Sequence, residues 1–365
     1  MILMNDFKAE PAELRAAMGA AAARVFASGW YVLGQEVKAF ESAWAAACQS
    51  AHCVGVGNGM DAIELALRGL DIGPGDEVIT TPMTAFATVL AVLRAGATPV
   101  LADIDPTTGL LSPESVRRCI SPRTRAVLLV HLYGQLRDMD VWLALAEEMH
   151  VQLIEDCAQA HLATWRGRMA GSFGIAGAYS FYPTKNLGAI GDGGALVTQD
   201  EALAQRVGRL RNYGQSERYV HPELGMNSRL DELQAALLNE RLAWLEGFTR
   251  RRRQIAEAYR HGIRHPRVSL LAPAQEADAH VHHLSVLLCD DRAALQQHLG
   301  ERGVQTLIHY PVPVHRQQSC TTLRRDPQGL PHTEAYAARC LSIPCHPQMD
   351  ETAVAQVVEA INDWH

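Results

Sequence analysis

SFYPTKNLGAIGDGGALVT, residues 180–198, sets one lysine, Lys185, among glycines, a proline and small side chains, well away from other charges. Such surroundings suit an amine that must lose its proton to form a Schiff base. A lone loop lysine is otherwise simply exposed, so its neighbours have to decide. Two further segments do so. In IEDCAQAH, residues 154–161, Asp156 ends an apolar strand and Gln159 follows in the turn. A carboxylate placed there can hold the proton of a pyridinium nitrogen and so strengthen an electron sink; the plainer alternative is that Asp156 caps the next segment. In GVGNGMDA, residues 55–62, a strand runs through glycines into a helix start, which offers unpaired N–H groups to an anion. A dinucleotide fingerprint would need its third glycine where Met60 stands, and a purely structural turn is also open. Together the three segments describe a phosphate-bearing, protonated aromatic cofactor.

Working outward, an Ala-rich helical segment from Pro11 to Phe26 and a second helix from Glu36 to Cys48 form a lead-in arm. From His52 the pattern alternates. AHCVGVG, EVITT, TPVLADI, RAVLLVHL and VQLIED read as strands, with helices over Asn58–Leu70, Thr84–Arg94 and Trp142–Met149 between them. Such alternation implies right-handed crossovers in a mostly parallel sheet, which binds ligands beyond its carboxyl ends. A helix from Leu230 to about Phe248 is followed by the run TRRRRQ, where the domain boundary is expected. The division is 1–250, an arm and large domain, and 251–365, a small domain with a His-rich strand (His280–Leu288) and a helix (Arg292–Glu301).

Composition narrows the function classes. Charged residues at 20% and hydrophobic residues at 48% suit a globular chain with no membrane span, and no export signal is evident near the start. The cytoplasm is the expected compartment. A net charge of −7 argues against a general nucleic-acid binder, and the arginine run reads as a solvated helix face. Eight cysteines without a CxxC pair read as reduced, mostly buried thiols. His280, His282 and His283 lack a completing ligand, so no metal is expected.

These segments, with YVLGQEV, DIGPGDEVI, ATPVLADID, HLYGQ, GMNSRLDELQAA and IHYPVPVH, resemble the DegT/DnrJ/EryC1/StrS sugar aminotransferases over nearly the whole chain. The resemblance implies an α/β fold of the aspartate-aminotransferase type (fold type I) and a homodimer with shared active sites. It implies pyridoxal 5'-phosphate (PLP) as cofactor, Lys185 as the Schiff-base lysine, Asp156 on the pyridine nitrogen and Gln159 against the ring near its hydroxyl. Gly59 and Met60 amides and the Ser180 hydroxyl would bind phosphate, and Asn227 would reach the partner's phosphate. The capping-box pattern of Ser228–Asp231 places Asn227 at a helix N-terminus. One departure stands out: PMTAFAT puts Ala85 where the family has an aromatic stacked on the ring, and Phe86 one place later.

GNGMDA, HLYGQ and NYGQSERY resemble members acting on 3-keto sugars more than those acting on 4-keto sugars. The expected reaction transfers an amino group from L-glutamate to a dTDP-linked 3-keto-6-deoxyhexose. A UDP-linked 3-keto N-acetyl sugar, a 4-keto-6-deoxy sugar and a non-catalytic regulator on the same fold are the alternatives. The dehydrating branch of the family, with histidine in place of Lys185, is disfavoured. Tyr182, Arg229, His309, Tyr310 and His315 are candidate sugar contacts.

Overall fold

The computed structural model describes all 365 residues. Helices α1 (Ala12–Ser28) and α2 (Gln35–Ala47) lead into β1 (His52–Val56), α3 (Gly59–Gly69), β2 (Glu77–Thr80) and α4 (Phe86–Arg94). Next come β3 (Thr98–Leu101), α5 (Pro113–Cys119), β4 (Thr124–Val130), α6 (Met139–Glu148) and β5 (Gln152–Asp156). A short ribbon of β6 (Thr164–Trp165) and β7 (Arg168–Met169) precedes β8 (Ala176–Ser180), β9 (Gly194–Thr198), α7 (Glu201–Leu210) and α8 (Glu232–Gly262). The chain ends with β10 (Val268–Leu270), β11 (Ser285–Cys289), α9 (Arg292–Glu301), β12 (Arg324–Arg325), α10 (Pro331–Arg339), β13 (Cys340–Ile343) and α11 (Glu351–Asn362).

Eight strands make one sheet in the order β1-β9-β8-β5-β4-β2-β3-β12. Every pair from β8 to β12 is parallel, and only β9 runs against its neighbours. The single reversal leaves β1 pointing the same way as β8 and β5, so their carboxyl ends share an edge. Register fixes the row: Val56 faces Gly194, Gly194 faces Ser180, Ala178 faces Asp156, and Asp156 faces Val130. Both sheet faces are covered, as parallel strands require. Leu128 and Ile154 pack with α3 and α7 on one side, while Val127 and Leu153 pack with α2, α6 and α8 on the other.

A second sheet, β10-β11-β13, packs against α9, α11 and the far end of α8 through Ile255 and Tyr259. Here the structure corrects two expectations. Helix α8 does not stop near Phe248 but continues to Gly262, so the arginine run lies inside it. Arginine is a good helix former, and these side chains have carbonyl partners: Arg252 donates to Cys345 at 2.6 Å, Arg251 to Met349 and Arg253 to His280. The expected strand from His280 begins only at Ser285, because His282 adopts φ 45° and its N–H turns back to His280 Nδ1. All eight cysteines are free thiols, and all but Cys53 are buried.

The expected cap at Ser228–Asp231 is also corrected. Helix α8 starts at Glu232 without a side-chain cap, and Asn227, five residues before that start, bridges Asn212. Ser228 has better partners: its hydroxyl accepts the Gly57 N–H at 2.9 Å and donates to the Asp61 carboxylate at 2.7 Å. Glu232 caps a different helix. Its buried carboxylate accepts the N–H groups of Gly34, Glu36 and Val37 at 2.7, 2.9 and 3.0 Å, replacing the side chain that Gly34 lacks at the start of α2. Orphaned buried donors cost about 1–3 kcal/mol each. Glu232→Ala is therefore expected to lose roughly 3 kcal/mol, a drop of about 4 °C in thermal midpoint by calorimetry.

Candidate active site

The shared strand edge gathers the polar groups. Asp156 closes β5 and is buried; its Oδ2 accepts the Thr88 hydroxyl at 2.8 Å and its Oδ1 the Ala158 N–H at 3.1 Å. Thr88 is held in turn by Thr84, one helical turn earlier at 2.9 Å. Two neutral donors orient the carboxylate without neutralising it, which leaves lone pairs for a protonated ring nitrogen. Sequence reasoning missed Thr88: PMTAFAT sets two threonines four apart at a helix start, but nothing local directs them to Asp156.

One strand away, Ser180 ends β8 against the first turn of α3. Gly59 is required there: a Cβ on it would stand 2.7 Å from the Ser180 Cβ. Gly194 is equally constrained, because its Cβ would meet the Asn58 carbonyl carbon at 2.3 Å. Asn58 caps α3 by accepting the Asp61 N–H at 2.9 Å, while the Gly59 and Met60 N–H groups have no partner. Two free amides, a helix N-terminus and the Ser180 hydroxyl make an anion cradle of phosphate size.

Lys185 follows in the loop after β8 and is half-buried. Burial pushes its ammonium down to about 8, against the opposing pull of Asp156. Gln159 lies beyond Asp156; it accepts the Tyr133 N–H at 2.5 Å and donates to the Tyr310 hydroxyl at 3.3 Å. Burial and the nearby Asp156 charge push Tyr310 up to about 12, and burial with Lys185 pushes His309 down to about 4. Tyr310 and His309 thus reach this edge as a neutral phenol and a neutral imidazole. His315 does not: it is buried against α10 with its Nε2 3.1 Å from Glu334.

Three expected residues lie outside this cluster. Asn227 is exposed, Tyr182 is 53% exposed, and Arg229 donates to Asn212 at 3.0 Å while lying over the Tyr213 ring. Phe86 is the first residue of α4 and 38% exposed, with Ala85 as the cap before it. Sequence reasoning gives His161 no role beyond a disfavoured nucleophile pair with Cys157; it is fully buried among Trp44, Tyr179 and Phe181 with both ring nitrogens unpartnered. Burial, then the Lys185 charge, pushes it down to about 3, so it is a neutral ring beneath the lysine loop. His131, Glu155 and Cys157 also cluster within 4.8 Å. Glu155, however, is saturated by the N–H groups of Gly171, Phe173 and Gly174 and by His131, each at 2.8 Å, and so anchors a loop.

A profile of the DegT/DnrJ/EryC1/StrS aminotransferase family matches residues 13–362. The chain belongs to that family. It is 46% identical over 360 residues to a dTDP-3-amino-3,4,6-trideoxy-alpha-D-glucose transaminase of Streptomyces venezuelae, covering 98% of this chain and 95% of that one. It is 44% identical to a dTDP-3-amino-3,6-dideoxy-alpha-D-galactopyranose transaminase of Aneurinibacillus thermoaerophilus, covering 93% of each. The solved structure of S. venezuelae DesV in complex with a ketimine intermediate superposes with a TM-score of 0.95 at 46% identity, covering 100% of this chain and 98% of that one.

As a DegT/DnrJ/EryC1/StrS aminotransferase, the chain is a PLP-dependent enzyme of the type I fold. The anion cradle, the buried carboxylate and the low-pKa amine fit a phosphorylated pyridine aldehyde. No helix is long and apolar enough to cross a membrane. The chain has only three lysines, and Lys8 and Lys38 are exposed, so Lys185 can be followed against internal controls. In cofactor-free protein, acylation of Lys185 by acetic anhydride should rise with a midpoint near pH 8. The extent of acylation at each pH is read by peptide mass spectrometry, normalised to the Lys8 and Lys38 peptides.

Proposed function

We propose that the chain transfers an amino group from L-glutamate to C3 of a dTDP-linked 3-keto-6-deoxyhexose, working as a cytoplasmic homodimer. The convergence of Lys185, Asp156, Ser180 and the free Gly59 and Met60 amides on one sheet edge carries this reading. PLP, when bound, supplies an aldehyde that captures amines and a ring that accepts the electron pair of a broken carbon–hydrogen bond. Asp156 would hold the proton of the ring nitrogen, its carboxylate being oriented by Thr88 and Ala158. Gln159 would lie against the ring near its hydroxyl. Gly59, Met60 and Ser180 hold the phosphate.

Lys185 would hold the cofactor through its Nζ and, when free of it, would take up and give back the proton of the donor's α carbon at that same Nζ. An amine with a pKa of about 8 suits both halves of that task near neutral pH. In the second half reaction the same amine works in the opposite direction on the keto sugar. His309 and Tyr310 face the sugar from the second domain, with Tyr182 and Arg229 at the rim.

The dimer is supported by a band of exposed apolar side chains around Asn227. Trp30, Tyr31, Ile190 and Tyr213 are 55%, 54%, 60% and 46% exposed. Each lies on a segment bonded to residues 226–234: Tyr31 through Glu232, Ile190 through Gln234 and Tyr213 through Met226. Exposed apolar side chains of this kind suit a protein interface, from which Asn227 would reach the partner's cofactor phosphate. The 3-amino products named for two relatives at 44–46% identity support amination at C3.

The reading is tested by incubating protein, PLP, L-glutamate and dTDP-4-keto-6-deoxyglucose with and without a 3,4-ketoisomerase, followed by NMR of the product. A 3-amino sugar is expected only with the isomerase; a 4-amino sugar without it would overturn the regiochemistry. Lys185→Ala is expected to abolish turnover.

A further inference from the structure

Bonded to Asn186, the residue after Lys185, is a buried histidine, His283, whose proton is assigned by its partner. Asn186 donates from Nδ2 to the Val281 carbonyl at 3.1 Å, and a carbonyl only accepts, so the amide orientation is fixed with Oδ1 toward His283. His283 Nδ1 is 3.2 Å from that oxygen and must therefore carry the ring proton. Burial, followed by the positive charge of Lys185 and then of Arg252, keeps the ring neutral. Nε2 is left as a bare lone pair with no partner.

His283 borders a cavity of about 190 Å3 that Asn5, Thr184 and His309 also line. Thr184 and Asn186 flank Lys185 in the chain; the first lines the cavity beside His283, and the second bonds its ring. The imidazole is thereby set against the backbone of the lysine. A ring oriented through one nitrogen so that the other presents a lone pair is built to accept a hydrogen bond from a fixed neighbour.

We propose that His283 is a positioning residue for Lys185, its Nε2 accepting a hydrogen bond from the ε-amine whenever the lysine is not attached to the cofactor. This rests on the reading of Lys185 as the cofactor-bearing lysine. A freed lysine has four rotatable side-chain bonds, and proton transfer needs the amine in one near-attack geometry. His283 supplies the anchor. The ionisable groups facing the amine are Asp156 from β5, His161 in the loop after it, and His283 and His309 from the second domain. An accepted N–H stabilises the ammonium, so loss of the acceptor lowers the lysine pKa further.

The test uses the pyridoxamine phosphate form, made by treating the holoenzyme with L-glutamate in the absence of a sugar, in which Lys185 is free. Acylation of Lys185 by acetic anhydride is followed against pH, with Lys8 and Lys38 as internal standards. In His283→Leu the midpoint is expected to fall by roughly one pH unit, with kcat reduced roughly 10–100-fold and KM for the sugar little changed. His283→Gln, which returns an oxygen acceptor near the place of Nε2, should restore most of both. An unshifted midpoint in the leucine variant overturns the proposal. Should that variant not fold, 15N NMR of histidine-labelled native enzyme decides: a proton on Nδ1 alone is expected, and a proton on Nε2 at neutral pH overturns the assignment. Turnover by Lys185→Ala would instead overturn the reading on which the proposal rests.

Discussion

Backbone contact between the start of α3 and the ends of β8 and β9 is the constraint on which the site depends. Gly59 against Ser180 and Gly194 against Asn58 leave no room for a Cβ. That approach puts two free amides beside a hydroxyl and fixes the distance from the anion cradle to Asp156 through the strand register. Any side chain at either glycine would push the helix from the sheet edge, and the cradle would separate from the carboxylate it has to work with.

The surroundings of that edge divide between two kinds of support. Asp156 and Gln159 are oriented locally by Thr88, Ala158 and Tyr133, all from the large sheet and its helices. Lys185 has its neutral neighbours on two sides: His161 from the chain just after β5, and His283 and His309 from the second domain. The amine therefore lies where the two domains meet, whereas the carboxylate is held wholly within one.

Much of this was legible in the sequence because its signals are local. Strand runs such as VQLIED and glycine-marked turns such as GVGNGMDA carry their structure within a dozen residues, and the strand-end placement of Asp156, Ser180 and Gly59 follows from them. What was not legible depends on distant partners. Thr88 meets Asp156 across 68 residues and His283 meets Asn186 across 97. Ser228 forms no capping box because Gly57 and Asp61, more than 160 residues away, offer it better bonds. The arginine run reads as solvated until the carbonyls of Cys345 and Met349 appear beneath it. Strand β12 is two residues long and is defined only by β3, to which it adds an edge.

Helix α8 has a mechanical consequence. Its 31 residues make a rod about 46 Å long that starts beside Asn227 and ends in the core of the second domain. It contains no proline and no break, so it acts as a lever rather than a hinge. A tilt of about 5° around its first turn would carry its last turn by about 4 Å. A displacement at its first turn is thus delivered, amplified, to the domain that holds His283 and His309.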